Sequence, residues 1–357
     1  MAYTTIDDPS AYFQCTLHTG TGSEQAITHG GNSDLQADLV WIKRRDATNN
    51  HRLTDVVRGA TKEIYPDITD AEDTQAQGLK SFASDGFTLG TNAGYNANNG
   101  TYVSWNWKAN GSGSANTAGS IDTTATSANT TSGFSISTYT GNGTAGATIG
   151  HGLGAVPKAF FIKRLENNDA MNMYNESLGN GKTLRLDRTN AVYTDSSFYN
   201  DTSPTSSLIT LGDESGFNGD GSTYVIYVVV EKQGFSKVGA YTGNGNANGT
   251  FVYTGFRPAW VMIKRTDGAN GWFISDDQRV GFNSSTTNSA TLGNVELNVN
   301  TSRTEAEGNT NIMDIFSNGF KMHGTGNDTN GSGATYIYMA FAKAPFVTST
   351  GVPTTAR

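Results

Sequence analysis

Apolar residues along this chain fall in short runs, and most of the runs alternate with a period of two. In Tyr102-Val103-Ser104-Trp105-Asn106-Trp107-Lys108, Val103, Trp105 and Trp107 share one face while Ser104, Asn106 and Lys108 share the other. That is the pattern of a half-buried strand. Tyr224 to Val230 is apolar on both faces, which predicts a strand lying centrally or between packed layers. Helical signals are scarce. Thr69-Asp70-Ala71-Glu72 fits a capping box opening a segment with Ala76, Leu79 and Phe82; Gly78 limits that helix to about two turns. Ser302 and Glu305 mark a similar start further along.

The pattern repeats three times. Ile-Lys-Arg occurs at Ile42-Lys43-Arg44, Ile162-Lys163-Arg164 and Ile263-Lys264-Arg265, each time after an apolar run. Upstream of each lies a Gly-rich turn, at Gly20/Gly22, Gly141/Gly143 and Gly243/Gly245. Downstream comes a Ser/Gly/Phe signature, at Ser84-Asp85-Gly86-Phe87, Ser215-Gly216-Phe217 and Ser317-Asn318-Gly319-Phe320. Each copy closes on a strand led by Tyr102, Tyr224 or Tyr336. Four landmarks in one order define tandem units, each near the size of a small β-sandwich. The expected fold is all-β: three tandem β-sandwich, jelly-roll-like repeat domains with very short helices. The expected boundaries are 1–109, a Gly/Ser/Thr/Asn linker over 110–132, then 133–233 and 234–357. The linker composition predicts flexible or extended chain, and hence an independent first domain beside a more rigid second and third pair.

Composition sharpens this picture. Gly (43), Thr (48) and Asn (34) make up about a third of the 357 residues, and only 16% are charged, against about 25% in typical domains. An ordinary helical enzyme, a coiled coil and a transmembrane protein are thereby excluded as readings. Net charge is −8, so a nucleic-acid partner is not expected, nor is insertion into a membrane. Cys15 is the single cysteine, which excludes an intrachain disulfide and a zinc–thiolate site. Residues 1–9 lack the basic and apolar regions of a signal peptide, so synthesis in a cytoplasm without Sec export is expected.

Candidate chemistry is thin. Gly141-Asn142-Gly143-Thr144-Ala145-Gly146 matches a dinucleotide fingerprint, but the glycines that follow cannot open the helix this motif requires; a hairpin turn is expected. The five histidines show no metal spacing, and no serine sits in a nucleophile elbow. Neither catalytic residues nor a cofactor or metal site is expected. Asp55 and Asp276 each have an arginine three residues on, Arg58 and Arg279, whereas the second copy has Asn175 and Leu178 there. These are read as structural ion pairs that fix a turn. Trp272, beside Gly271 and a polar loop, and Tyr95, inside Asn92-Ala93-Gly94-Tyr95-Asn96, are the aromatic candidates for surface contact, against the competing reading that they are core.

Met1-Ala2-Tyr3-Thr4-Thr5-Ile6-Asp7-Asp8-Pro9-Ser10-Ala11-Tyr12-Phe13-Gln14, Gly133-Phe134-Ser135-Ile136 running into Tyr139-Thr140-Gly141-Asn142-Gly143, and the ending Tyr336-Ile337-Tyr338-Met339-Ala340-Phe341-Ala342-Lys343-Ala344-Pro345-Phe346 resemble tail-fibre and virion structural proteins of marine bacteriophages. The resemblance implies a non-enzymatic virion component made in the bacterial cytoplasm. By analogy it implies a homotrimer, partnered by other virion proteins and by a host surface glycan or receptor. Residues 1–9 would serve as an attachment arm and the C-terminal unit would face the host. Two alternatives stand beside this: a capsid-decorating or head-fibre protein, and a carbohydrate-binding or glycan-degrading module.

Overall fold

The computed structural model describes residues 2–279, 295–307 and 313–354. The first copy runs through β1 (Phe13–Thr19), β2 (Gln25–Ile27), β3 (Leu39–Arg44), β4 (Arg52–Asp55), β5 (Lys62–Glu63), β6 (Asp73–Thr74), β7 (Leu79–Ala83), β8 (Gly86–Leu89), the single-turn α1 (Ala93–Asn96) and β9 (Thr101–Trp107). After β10 (Thr123–Asn129), the second copy comprises β11 (Phe134–Thr140), β12 (Thr148–Gly150), β13 (Ala159–Arg164), β14 (Asn172–Asn175), β15 (Lys182–Arg185), β16 (Tyr193–Thr194), β17 (Leu208–Thr210), α2 (Ser215–Asn218) and β18 (Thr223–Val229). The third comprises β19 (Ser236–Thr242), β20 (Phe251–Tyr253), β21 (Phe256–Arg265), β22 (Trp272–Asp276), β23 (Val295–Asn298), β24 (Ala306–Glu307), β25 (Met313–Phe316), β26 (Gly319–Met322) and β27 (Thr335–Pro345). The fold is all-β, and every pairing between these strands is antiparallel.

Each copy contributes a larger and a smaller sheet. The larger sheets have the orders β1-β9-β3-β4, β10-β11-β18-β13-β14-β15-β16 and β19-β27-β21-β22-β23-β24. The smaller are β2-β8-β7, β12-β17 and β20-β26-β25. The alternation read from the sequence sorts side chains between two cores. On β9, Tyr102 turns toward Ile27, Phe87 and Leu89 of its own small sheet. Val103, Trp105 and Trp107 turn the other way, into a cluster that also holds Phe134, Phe161, Tyr227, Trp260 and Phe341 of the other two copies. Strand β18 is apolar on both faces for this reason: Ile226 and Val228 fill the second copy's own core while Val225, Tyr227 and Val229 reach the shared one.

The shared cluster overturns the expected independence of the first domain. Trp105 meets Trp260 edge to face at 6.4 Å, Trp107 meets Trp260 likewise at 5.6 Å, and Phe13 stacks on Phe341 at 5.1 Å. Such pairs add about 0.5–1.5 kcal/mol each beyond area burial. A one-faced sheet has to cover its apolar side, and here the three larger sheets cover one another.

Four other expectations change. The presumed linker is folded onto the second copy: Thr123–Asn129 pairs along β11, and Ile121, its one large apolar residue, is buried in the second core. Threonine suits an edge strand, which needs no large side chain. No helix forms at Thr69–Glu72 or Ser302–Glu305, because tertiary contacts described below take the cap groups. Ser215-Gly216-Phe217 is not the counterpart of the β8 and β26 segments; it forms α2, matching α1, with Phe217 and Tyr95 each seven residues before the closing tyrosine. Finally, the segment before β1 is docked rather than free. Ile6 is buried, Thr4 Oγ1 donates to Gln233 O at 2.8 Å, Tyr3 OH donates to Gly255 O at 2.7 Å, and Asp7 accepts from Ser349 N at 2.6 Å.

Candidate functional site

The three copies meet head to tail through one repeated contact. Lys163 Nζ of the second copy donates to Thr69 O of the first at 2.9 Å, Lys264 Nζ of the third to Thr189 O of the second at 3.1 Å, and Lys43 Nζ of the first to Ser302 O of the third at 3.3 Å. The backbone repeats the cycle: Glu72 N donates to Leu165 O, Val192 N to Thr266 O, and Glu305 N to Arg45 O. A heterologous contact that returns to its start after three steps is a closed ring with approximate threefold symmetry. The lysine of each Ile-Lys-Arg motif is therefore a clasp between copies. All three lysines have no exposed surface, and burial pulls each down to about 8.

The Asp–Arg pairs stand at two of these boundaries. Asp55 Oδ1 accepts from the backbone N–H of Val57 and Arg58, while Oδ2 accepts from Arg58 Nε at 2.6 Å and from Tyr227 OH of the second copy at 2.7 Å. Arg58 Nη1 reaches Glu72 at 3.0 Å. Asp276 repeats this with Arg279 Nε at 2.6 Å, Trp105 Nε1 of the first copy at 3.0 Å, and Arg279 Nη1 to Glu305 at 3.0 Å. Burial opposes the charge on both guanidiniums, but the adjoining carboxylates outweigh it and hold both above their ordinary value. At the third boundary every member changes together. Asn175 replaces the aspartate, Leu178 the arginine and Val192 the glutamate; Met339 stands where Tyr227 and Trp105 stand in β18 and β9. Leu178, Val192 and Met339 join the shared apolar cluster.

The two aromatic candidates are not at the surface. Trp272 is 1% exposed, and its Nε1 donates across a boundary to Arg185 O at 3.0 Å. His51 is its counterpart in the first copy. Trp41 Nε1 donates to His51 Nδ1 at 3.0 Å, so Nε2 carries the proton and donates to Asn298 O at 3.1 Å. Tyr95 is also 1% exposed; its hydroxyl donates to Glu63 Oε2 at 2.6 Å and the Arg52 guanidinium lies 5.4 Å from its ring. Both aromatics sit in polar sequence, but the polar neighbours lie in turns that fold over them.

The Gly-rich stretches are stapled turns. Asn96, Asn218 and Asn330 are fully buried. Their Oδ1 atoms accept from the N–H of Thr21, Asn142 and Asn244, and their Nδ2 groups donate to two carbonyls each. Gly22, Gly143 and Gly245 have φ of +71°, +65° and +63°, which favours glycine. The threefold relation brings all three turns to one end of the ring.

The surface aromatics are others. On the small sheet of the third copy, Phe251, Tyr253 and Phe316 are 44%, 54% and 39% exposed, with Phe251 and Phe316 edge to face at 6.0 Å. The alternation Phe251-Val252-Tyr253, with Val252 buried, was the signal for them. The centre of the ring offers no ligand room: its cavity is about 20 Å³ and is lined by apolar side chains with Tyr227, too little for a ligand. Among the described residues no three His, Cys, Asp or Glu side chains group as a metal site, and no helix is long and apolar enough to cross a membrane.

No curated protein and no solved structure matches this chain. A single family model spans all three copies and the strand between them, from residue 8 to residue 345, and the chain belongs to that family, described as Domain of unknown function (DUF7483).

Proposed function

We propose that this protein is a bacteriophage virion component, a tail-fibre or receptor-binding appendage whose third copy contacts the host surface. The observation that carries the reading is the exposed trio Phe251, Tyr253 and Phe316 on the small sheet of the third copy. Aromatic side chains held in solvent beside one another are a feature of contact surfaces. The trio lies on the copy that the resemblance to phage proteins directs toward the host. The closed ring bears on the trimer that the same resemblance implied. The contacts that three separate chains would make are made within one chain, so the proposed working unit is a single chain with internal threefold form. The glycan-module reading loses the two aromatics on which it stood, since Trp272 and Tyr95 are buried.

The test is to locate the protein on purified particles with gold-labelled antibody and to compete phage adsorption with the purified chain. Label at the tail, with competition weakened at least tenfold by Phe251→Ser with Tyr253→Ser, supports the reading. Absence from particles overturns it, and dense label over the head replaces it with the capsid-decorating role.

A further inference from the structure

The ring has three equivalent sheet edges, and the chain treats each differently. In the second copy β10 lies along β11, with Asn129 opposite Phe134 and Ser127 opposite Ile136. In the third, the β19 edge is blocked: Glu231 accepts the N–H of Val238 at 2.8 Å, and Lys232 bridges to Ser236. Covering an edge and placing charge on it are two recognised protections against pairing with another chain. In the first copy, among the described residues, no strand pairs along the outer side of β1 and no charged side chain caps its backbone, while the Cys15 thiol reaches Ala259 O of the third copy at 3.7 Å. The bonds Lys108 N to Tyr12 O and Gly20 N to Gly100 O set the ladder, so Tyr12, Gln14, Thr16 and His18 bond inward to β9. The N–H and C=O groups of Phe13, Cys15 and Leu17 therefore point outward. They have no backbone or side-chain partner among the described residues. Leu17 is 39% exposed, and β1 carries no Lys, Arg, Asp, Glu or Pro. Beside this edge runs a groove of about 280 Å³, walled by Gly30 and Gly31 of the first copy and by Asp277 and Lys343 of the third.

We propose that the β1 edge accepts an extended strand from a partner chain, of the uncharged Thr/Ser/Ala kind that β10 supplies to the equivalent edge of the second copy. Strand addition takes its affinity from main-chain hydrogen bonds and its selectivity from alternate side chains. The backbone groups of Phe13, Cys15 and Leu17 supply the former. The groove sets the latter. Its one acid and one base lie 3.6 Å apart, so their charges offset and a neutral strand fits. No residue of β10, Thr-Thr-Ala-Thr-Ser-Ala-Asn, is larger than asparagine or threonine. This inference is independent of the virion reading.

The test uses the full-length protein and a blocked synthetic peptide of the β10 sequence as probe, with hydrogen exchange read at individual amides. Without peptide, the amides of Cys15 and Leu17 should exchange at least tenfold faster than that of Ile136. Millimolar peptide should slow both at least tenfold. The same peptide N-methylated along the edge that faces β1 should have no effect, and Leu17→Pro should abolish the effect without shifting the unfolding midpoint. The N-methyl control decides the matter even if that variant fails to fold. Three results would overturn the proposal: Cys15 and Leu17 protected like Ile136 with no peptide present; no added protection at millimolar peptide; or protection that rises with protein concentration alone, which would make the occupant a second copy.

Discussion

Tyr227 of the second copy donates its hydroxyl to Asp55 Oδ2 of the first at 2.7 Å, the same oxygen that Arg58 Nε reaches at 2.6 Å. The bond thus ties an ion pair in one copy to the central strand of the next. Tyr227→Phe removes the hydroxyl and leaves Asp55 paired with Arg58. The expected loss is about 1.5–3 kcal/mol, the cost of a buried hydrogen bond to a charged group. Urea unfolding should show a lower midpoint at unchanged slope, whereas an unchanged midpoint would mean the hydroxyl contributes nothing.

A larger test is to convert the first boundary into the third kind. Arg58→Leu alone leaves the buried Asp55 without its cation and Glu72 with Lys62 as its remaining partner, at 3.3 Å, at a cost of about 3–5 kcal/mol. Adding Asp55→Asn, Glu72→Val and Tyr227→Met reproduces the set found at Asn175, Leu178, Val192 and Met339. The fourfold variant is expected to recover most of the loss, since residues in one network are not additive. If it unfolds as easily as the sum of its parts, the equivalence of the boundaries is wrong.

The sequence carried the all-β class, the three copies and the two Asp–Arg pairs, because each rests on local pattern. It did not carry the ring. Thr69 and Glu72 look like a helix cap because the same groups that cap a helix also bracket a neighbouring copy: Thr69 O takes Lys163, and Glu72 N donates to Leu165. The missing glutamate at Val192 was visible, but its meaning depended on Met339, 147 residues away in the chain. Trp272 and Tyr95 were drawn toward the surface by polar neighbours for the same reason. Local composition reports which residues form turns, not what those turns cover.

Asp67 gives a pH-dependent handle. It is buried, its Oδ1 accepts from His51 N at 3.2 Å, and its Oδ2 has no partner among the described residues. Burial raises its carboxyl from 3.8 to about 7. Between these values the unfolded chain is the more ionised, so this group's contribution to stability falls as pH rises from about 4 to about 7. Asp67→Asn keeps an acceptor for His51 and cannot ionise. It is expected to be more stable than the parent at pH 8, by up to about 4 kcal/mol, with the difference closing toward pH 4. A difference that is the same at both pH values would show that Asp67 does not titrate in this range.

The three lysine clasps should act with the opposite sign and at higher pH. Burial lowers Lys43, Lys163 and Lys264 from 10.5 to about 8. Between pH 8 and 10.5 the unfolded chain therefore holds more protons on these groups than the folded ring, and stability rises with pH across that window. Burial also raises Tyr95, Tyr139, Tyr227 and Tyr241 well above 10.0. Above about pH 10 the unfolded chain loses phenolic protons that the ring retains, and stability falls again. Urea midpoints measured from pH 7 to pH 11 should thus pass through a maximum on the alkaline side, between about 9 and 10. Because the lysines lie at three separate boundaries, their contributions should add. Lys163→Met should shrink the rise between pH 8 and the maximum by about one third and leave the fall above it unchanged. A midpoint that is flat from pH 7 to pH 9 in the parent would show that the ammonium groups stay protonated inside the ring, held there by the carbonyls of the next copy.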